Sequence, residues 1–256
     1  MRIRSALVSL AALPLAGCAF PPGTEVQPPP IAPSVESPFE GAPPAATPPT
    51  TPTAAPTASP GPAAGHARLA ELRTTERQPN DIPAYARAAF GRAWKDVDGN
   101  GCNQRDDVLL RDAVPGTTQV QQQRSCPHDV LAGSWIDPYT GRRVTYDDLK
   151  DQRQAQAIQI DHVVPLAEAW VSGAHAWSPE RREHFANDLS VLVAADGPTN
   201  ASKGSHDPAA WRPKQAYQCS YAVHWIDVKQ RWDLAVDASE ARALASMLDT
   251  CPTPPA

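Results

Sequence analysis

Proline is spread so unevenly along this chain that it decides how much of the chain can fold. Of the 29 prolines among 256 residues, 15 fall between Pro21 and Pro62, a stretch with no lysine or arginine and one aromatic, Phe39. Proline–alanine–threonine repeats such as residues 47–62 bury too little apolar area to offset the entropy of ordering, and they favour extended polyproline conformations. All seven tryptophans lie at Trp94 or beyond. Three segments follow: residues 1–17, a disordered linker over 18–65, and a globular domain over 66–256, long enough to bury one core.

Residues 1–17 carry Arg2 and Arg4, then a short apolar run ending in small residues. That is the pattern of an export signal, too short to span a membrane as a mature anchor. It ends Leu15-Ala16-Gly17-Cys18, which resembles the bacterial lipobox. The resemblance implies lipidation of Cys18, a membrane tether, and a spacer role for the linker. An ordinary cleaved signal with an incidental cysteine is the alternative.

The remaining cysteines are Cys102, Cys126, Cys219 and Cys251, an even number that suits two disulfides in an exported chain. Four cysteines allow three connectivities; we expect Cys102–Cys126 and Cys219–Cys251, because each pair is close in sequence and brackets a loop-rich stretch. Zinc would need close C-x-x-C pairs, which are absent.

Beyond residue 65 there are 21 Lys and Arg against 25 Asp and Glu, a net charge near −4. A strongly basic domain would have pointed to nucleic acid through counterion release. Here any such binding must rest on a local patch or a metal.

Residues 66–94 read as helical, with apolar positions at Leu69, Leu72, Tyr85, Ala89, Phe90 and Trp94. Pro79-Asn80-Asp81 interrupts them, and Asp81 can cap a helix from near Pro83. Next, Asp96, Asp98, Asn100, Gly101 and Asp107 occupy positions 1, 3, 5, 6 and 12 of an EF-hand-type loop, with Asp in place of the bidentate Glu. Calcium and a plain polar turn both remain open there. Residues 108–112 read as helix, and 114–151 as a small antiparallel sheet with turns at Pro115-Gly116 and Asp137-Pro138-Tyr139-Thr140-Gly141. Helices are expected over 179–185, 216–232 and 238–248.

The chemistry concentrates between Gln159 and Pro213. Asp161-His162 ends an apolar run over 157–160; Asn187-Asp188 precedes a second run over 189–193; Asn200-Ala201-Ser202-Lys203-Gly204 follows. Pro165 forces the chain out of the first strand. Phosphodiester hydrolysis needs a base for water and a hard cation for the phosphate charge. Imidazole titrates near neutrality, and Asp and Asn oxygens suit Mg²⁺, Mn²⁺ or Ca²⁺.

The pattern D-H-V-V-P-L…N-D-L…N-x-S-K-G resembles the HNH endonuclease motif, most closely that of exported actinobacterial HNH proteins, over about Ala84 to Pro252. The resemblance implies an α+β fold: a ββα-metal nuclease core, a small antiparallel sheet and surrounding helices, with one divalent cation, Mg²⁺ or Mn²⁺. It implies His162 as general base, Asn187 as the asparagine that braces the loop behind it, and Asp161 and Asn200 as metal ligands. Lys203 is a candidate phosphate contact. The substrate implied is DNA, with RNA as a further substrate, cut with little sequence specificity outside the cell or at its membrane surface. Arg181-Arg182, Arg142-Arg143 and Arg212–Lys214 are basic clusters, each more often a solvated face than a DNA contact. His175 and His184 are expected at the surface and the tryptophans in the core; His206 and Asp207 lie near the motif in sequence, where a surface polar turn is expected and a contribution to the site is the alternative. The competing hypothesis is a non-catalytic, calcium-stabilised surface lipoprotein or binding module.

Overall fold

A computed structural model describes residues 61–76 and 82–253. The expected export signal, Cys18, most of the expected linker and Asp81 lie outside the described residues.

The order is α1 (Pro62–Ala70), α2 (Gln104–Asp112), β1 (Gln119–Gln123), β2 (Cys126–Ile136), β3 (Arg143–Tyr146), α3 (Gln152–Ala157), β4 (Ile158–His162), α4 (Leu166–Val171), α5 (Pro179–Asn187), β5 (Leu192–Asp196), α6 (Gly197–Lys203), α7 (Gln215–Trp232) and α8 (Ala238–Leu248). Helices around two small antiparallel sheets make this an α+β fold. One sheet is β1-β2-β3 with the long β2 in the centre; the other is the pair β4-β5.

The pair β4-β5 and the helix after it form the strand–strand–helix unit. Ile158 faces Asp196 and His162 faces Leu192 across the ladder. Alternation along β4 sends Ile158 and Ile160 into one core, with Val108 and Leu109 of α2, Trp135 of β2 and Leu192 of β5. Gln159 and Asp161 turn toward α6, where they bond Asn200 and Lys203. Helix α6 starts at once because Asp196 caps it, accepting from the Thr199 amide at 3.2 Å, and Pro198 suits a first helical turn. Gly197 is needed there: a Cβ would lie 2.8 Å from the Gln156 carbonyl oxygen.

A second, larger core joins α4, α5, α7 and α8 through Trp170, Phe185, Trp225, Leu244 and Met247. Asp237 caps α8 through the Ser239 and Glu240 amides, and Asp233 ends α7 in the left-handed conformation at φ 54°. Cys102 is bridged to Cys126 and Cys219 to Cys251, the two pairings expected.

Three expectations are corrected. Residues 66–94 are not a helical run: α1 ends at Ala70, and among the described residues only a 3-10 turn, Arg87–Phe90, follows before α2. The aromatic positions there pack individually, Phe90 against Trp170 and Phe185, rather than along one helical face. Helix α1 itself begins at Pro62, inside the expected linker, because buried Gly65 lets it pack on Leu248. The second strand starts at Leu192 rather than Leu189, since Asp188 accepts from the Ser190 amide and hydroxyl and holds a turn.

Candidate active site

Strand β4 delivers Asp161 and His162 to one end of a cleft of about 480 Å³, which is also lined by Arg87, Arg105, Gln159 and Asn200. Consecutive strand residues project to opposite faces, so the two side chains reach the cleft by different routes.

His162 Nε2 lies 2.9 Å from the Ala186 carbonyl oxygen at the end of α5. A carbonyl only accepts, so that nitrogen carries the proton and Nδ1 keeps its lone pair. Burial pushes the imidazole pKa down to about 4, so the neutral form persists well below neutrality. Asn187, the next residue after Ala186, is fully buried. Its oxygen accepts from the Lys95 amide at 3.0 Å, and its nitrogen donates to the carbonyls of Arg92 and Glu183 at 3.0 and 2.9 Å. Asn187 therefore touches neither the cleft nor His162. It ties the segment 92–95 to the end of α5, whose Ala186 carbonyl orients the imidazole.

Asp161 is the most constrained group. Lys203 donates to its two oxygens at 2.8 and 3.1 Å and to the His162 carbonyl at 2.8 Å, and the Tyr139 hydroxyl donates to one of the same oxygens. Burial pushes the Asp161 carboxyl up, opposed first by the Lys203 charge; burial pushes the Lys203 ammonium down, opposed by Asp161. Lys203 is 0% exposed, which corrects its expected contact with phosphate: its three bonds are internal, and it cannot reach a substrate. Tyr139 lies in D-P-Y-T-G, a segment to which the sequence assigns a turn but no role toward Asp161. Nothing local in the sequence sets Arg87 apart; it is exposed at the cleft.

Asn200 lies one helical turn before Lys203 on α6, and its amide nitrogen donates to Gln159 at 2.9 Å, which leaves its oxygen as an acceptor. A carboxylate offers about four lone-pair directions. Tyr139 and Lys203 take three on Asp161. The donors left at the cleft are one Asp161 lone pair and the Asn200 oxygen. They are hard oxygen donors unaccompanied by sulfur, and they could hold a divalent cation. Cys102, Cys126 and His128 also cluster, with ligand atoms within 4.8 Å, but both sulfurs are spent in the disulfide.

Several of the remaining candidates make internal bonds, and Asp207, expected at the surface, is buried because it accepts from the Ala209 and Ala210 amides. Arg181 bonds the Trp232 carbonyl and stacks on Trp177, and Arg182 bonds the Ala89 and Trp177 carbonyls. His175 and His206 bond local carbonyls of Trp170 and Lys203. Asn100 bonds Asp98 and Asp107, and Asp96 accepts from the Gly99 and Gly101 amides, in a segment that also contributes Arg105 to the cleft.

A strand–strand–helix unit that brings a neutral imidazole, a carboxylate and a carboxamide to an open cleft defines a nuclease-related domain. Residues 103–247 match the family described as GmrSD restriction endonucleases, C-terminal domain, and the chain belongs to that family. It is similar to an uncharacterized secreted protein of Arthroderma benhamiae, 40% identical over 193 residues, which cover 74% of this chain and 87% of that protein. No solved structure matches the chain.

Proposed function

We propose that this protein is an exported, metal-dependent endonuclease of the HNH type that hydrolyses DNA, and RNA as a further substrate, with little sequence specificity. The observation that carries the reading is the 2.9 Å contact of His162 Nε2 with the Ala186 carbonyl oxygen: it favours the proton on Nε2 and leaves Nδ1, on a residue that lines the cleft, free to take one from water. Asp161 and Asn200 would hold the cation. When bound, that cation neutralises charge on the scissile phosphate and the leaving oxygen. Lys203 and Tyr139 fix the Asp161 carboxylate, so that it does not need to reorganise during the reaction. Arg87 at the cleft, and Arg212 and Lys214 around a neighbouring groove of about 510 Å³ on α6, supply local positive charge to an otherwise acidic domain.

Export is supported by the N-terminal segment, the two disulfides and the secreted relative. The lipobox-like Leu15–Cys18 supports a lipid tether on Cys18, which metabolic palmitate labelling of wild type and Cys18→Ser would test.

A plasmid-nicking assay with Mg²⁺ or Mn²⁺, with chelator, and with His162→Ala tests the enzyme reading. Loss of about 10²–10⁴-fold in rate is expected for His162→Ala. Equal cleavage by both proteins, or none by wild type in any metal, would leave the non-catalytic lipoprotein or binding module as the better description.

A further inference from the structure

We propose that residues 96–107 form a second cation site, structural and separate from the His162 cleft, whose ligand is Ca²⁺. The loop is wound around its own carboxylates. Asp96 accepts from the Gly99 and Gly101 amides at 2.6 and 2.9 Å. The Asn100 amide nitrogen sits between two carboxylates, 3.2 Å from Asp98 and 2.9 Å from Asp107. His128 Nε2 lies 2.7 Å from the same Asp107 oxygen. These bonds arrange the acids; they do not by themselves call for an ion.

Two buried groups do. The second Asp107 oxygen, on a side chain 6% exposed, has no hydrogen-bond partner. Gln104 is 0% exposed, and neither its oxygen nor its nitrogen has a partner. A buried carboxylate oxygen and a buried carboxamide left unmatched are costly, and such exceptions call for an explanation. Gln104 and Asp107 stand three apart on α2 and so share a helix face. They are also the ninth and twelfth residues of the loop that starts at Asp96, both of them ligand positions in a calcium loop. A hard cation drawn to Asp107 and Gln104 would satisfy both orphan oxygens, with the loop acids as its further ligands.

The backbone is already shaped for it. Gly101 has φ 89°, and a Cβ there would lie 2.6 Å from the Ser125 carbonyl oxygen, so only glycine permits this close turn. Cys102, which would offer its carbonyl, is pinned to Cys126 by the disulfide. Asn100 must turn its amide to present oxygen, giving up its 2.7 Å bond from the Cys102 amide. A site of many oxygens on a loop suits Ca²⁺ better than Mg²⁺, which demands tight octahedral geometry. The bound ion would steady the start of α2. That helix carries Val108 and Leu109 into the core of the β4-β5 pair, and its Arg105 bonds the Ile158 carbonyl at 3.1 Å.

The test uses the full chain stripped with chelator, titrated with Ca²⁺ alone and in parallel with Mg²⁺, read by calorimetry and thermal melting. Saturating Ca²⁺ should raise the melting temperature by about 5 °C. Asp98→Asn, an exposed change that spares the fold, and Asp107→Asn should each weaken Ca²⁺ binding by about tenfold or more. Asn200→Ala, in the cleft, should leave the Ca²⁺ midpoint where it is. No Ca²⁺ binding up to about 10 mM would overturn the proposal, since that exceeds the weakest loops of this kind. So would Ca²⁺ binding that Asn200→Ala abolishes and Asp98→Asn does not, because the ion would then sit in the cleft.

Discussion

The ammonium of Lys203 lies 2.8 Å from a carboxylate oxygen of Asp161, and both groups are buried. The same ammonium bonds the His162 carbonyl at 2.8 Å, so one cation ties α6 to the last two residues of β4. A buried charge is tolerated only when paired and hydrogen-bonded. The pair therefore sets where the acid and the imidazole stand.

Lys203→Met strands the Asp161 carboxylate without its counter-ion. Unfolding stability should fall by about 3–5 kcal/mol, visible in urea or thermal denaturation. The double variant Asp161→Asn, Lys203→Met should recover part of that loss, because it no longer leaves a lone buried charge.

Arg87 is exposed at the cleft and makes no contribution to the core. Arg87→Ala should weaken DNA binding to a similar degree across sequences and lower the slope of log affinity against log salt by about 0.9. Fluorescence anisotropy over a salt series checks both, and an unchanged slope would remove Arg87 from the substrate path.

The Cys219–Cys251 bridge joins α7 to the end of α8 across 32 residues. Replacing both cysteines by alanine should cost about 3–4 kcal/mol on a chain-entropy basis. Equilibrium denaturation of the variant, compared with wild type under non-reducing conditions, reads that difference.

Glu240 is buried beside Lys229 and Glu168 in the larger core. Burial, with Glu168 adding its charge against the pull of Lys229, raises the Glu240 carboxyl to about 7. An acid raised on folding contributes stability that is present below its unfolded value, near 4.3, and is lost as pH rises through 7. Wild-type stability should thus decline between about pH 5 and 7, with a slope from this group of at most about 1.4 kcal/mol per pH unit. Glu240→Gln should flatten that decline in denaturation curves measured across the range. A slope unchanged by the substitution would assign the titration elsewhere.

Much of the frame was readable from local pattern. The apolar run before Asp161 and the Pro165 break are short-range signals, and β4 follows them; the helices expected over 179–185 and 238–248 are found as α5 and α8. The cysteine pairing was readable because each bridge closes a short loop. The expected helix over 66–94 failed for the opposite reason. Its aromatic residues serve contacts with Trp170 and Phe185, distant partners whose demands override periodicity.

By itself the sequence determined which residues could do chemistry: an acid and a histidine at a strand end, asparagines before and after a second strand, and four acid or amide groups at loop spacing. Tertiary structure decided what each is free to do. Lysine is almost never fully buried, so nothing local marks Lys203, 42 residues from Asp161, as its counter-ion rather than a phosphate contact. The His162 tautomer likewise depends on a carbonyl 24 residues away at the end of α5. Residue type follows from the chain alone, but burial and partner are properties of the packed fold, and they set the charge and proton that the chemistry uses.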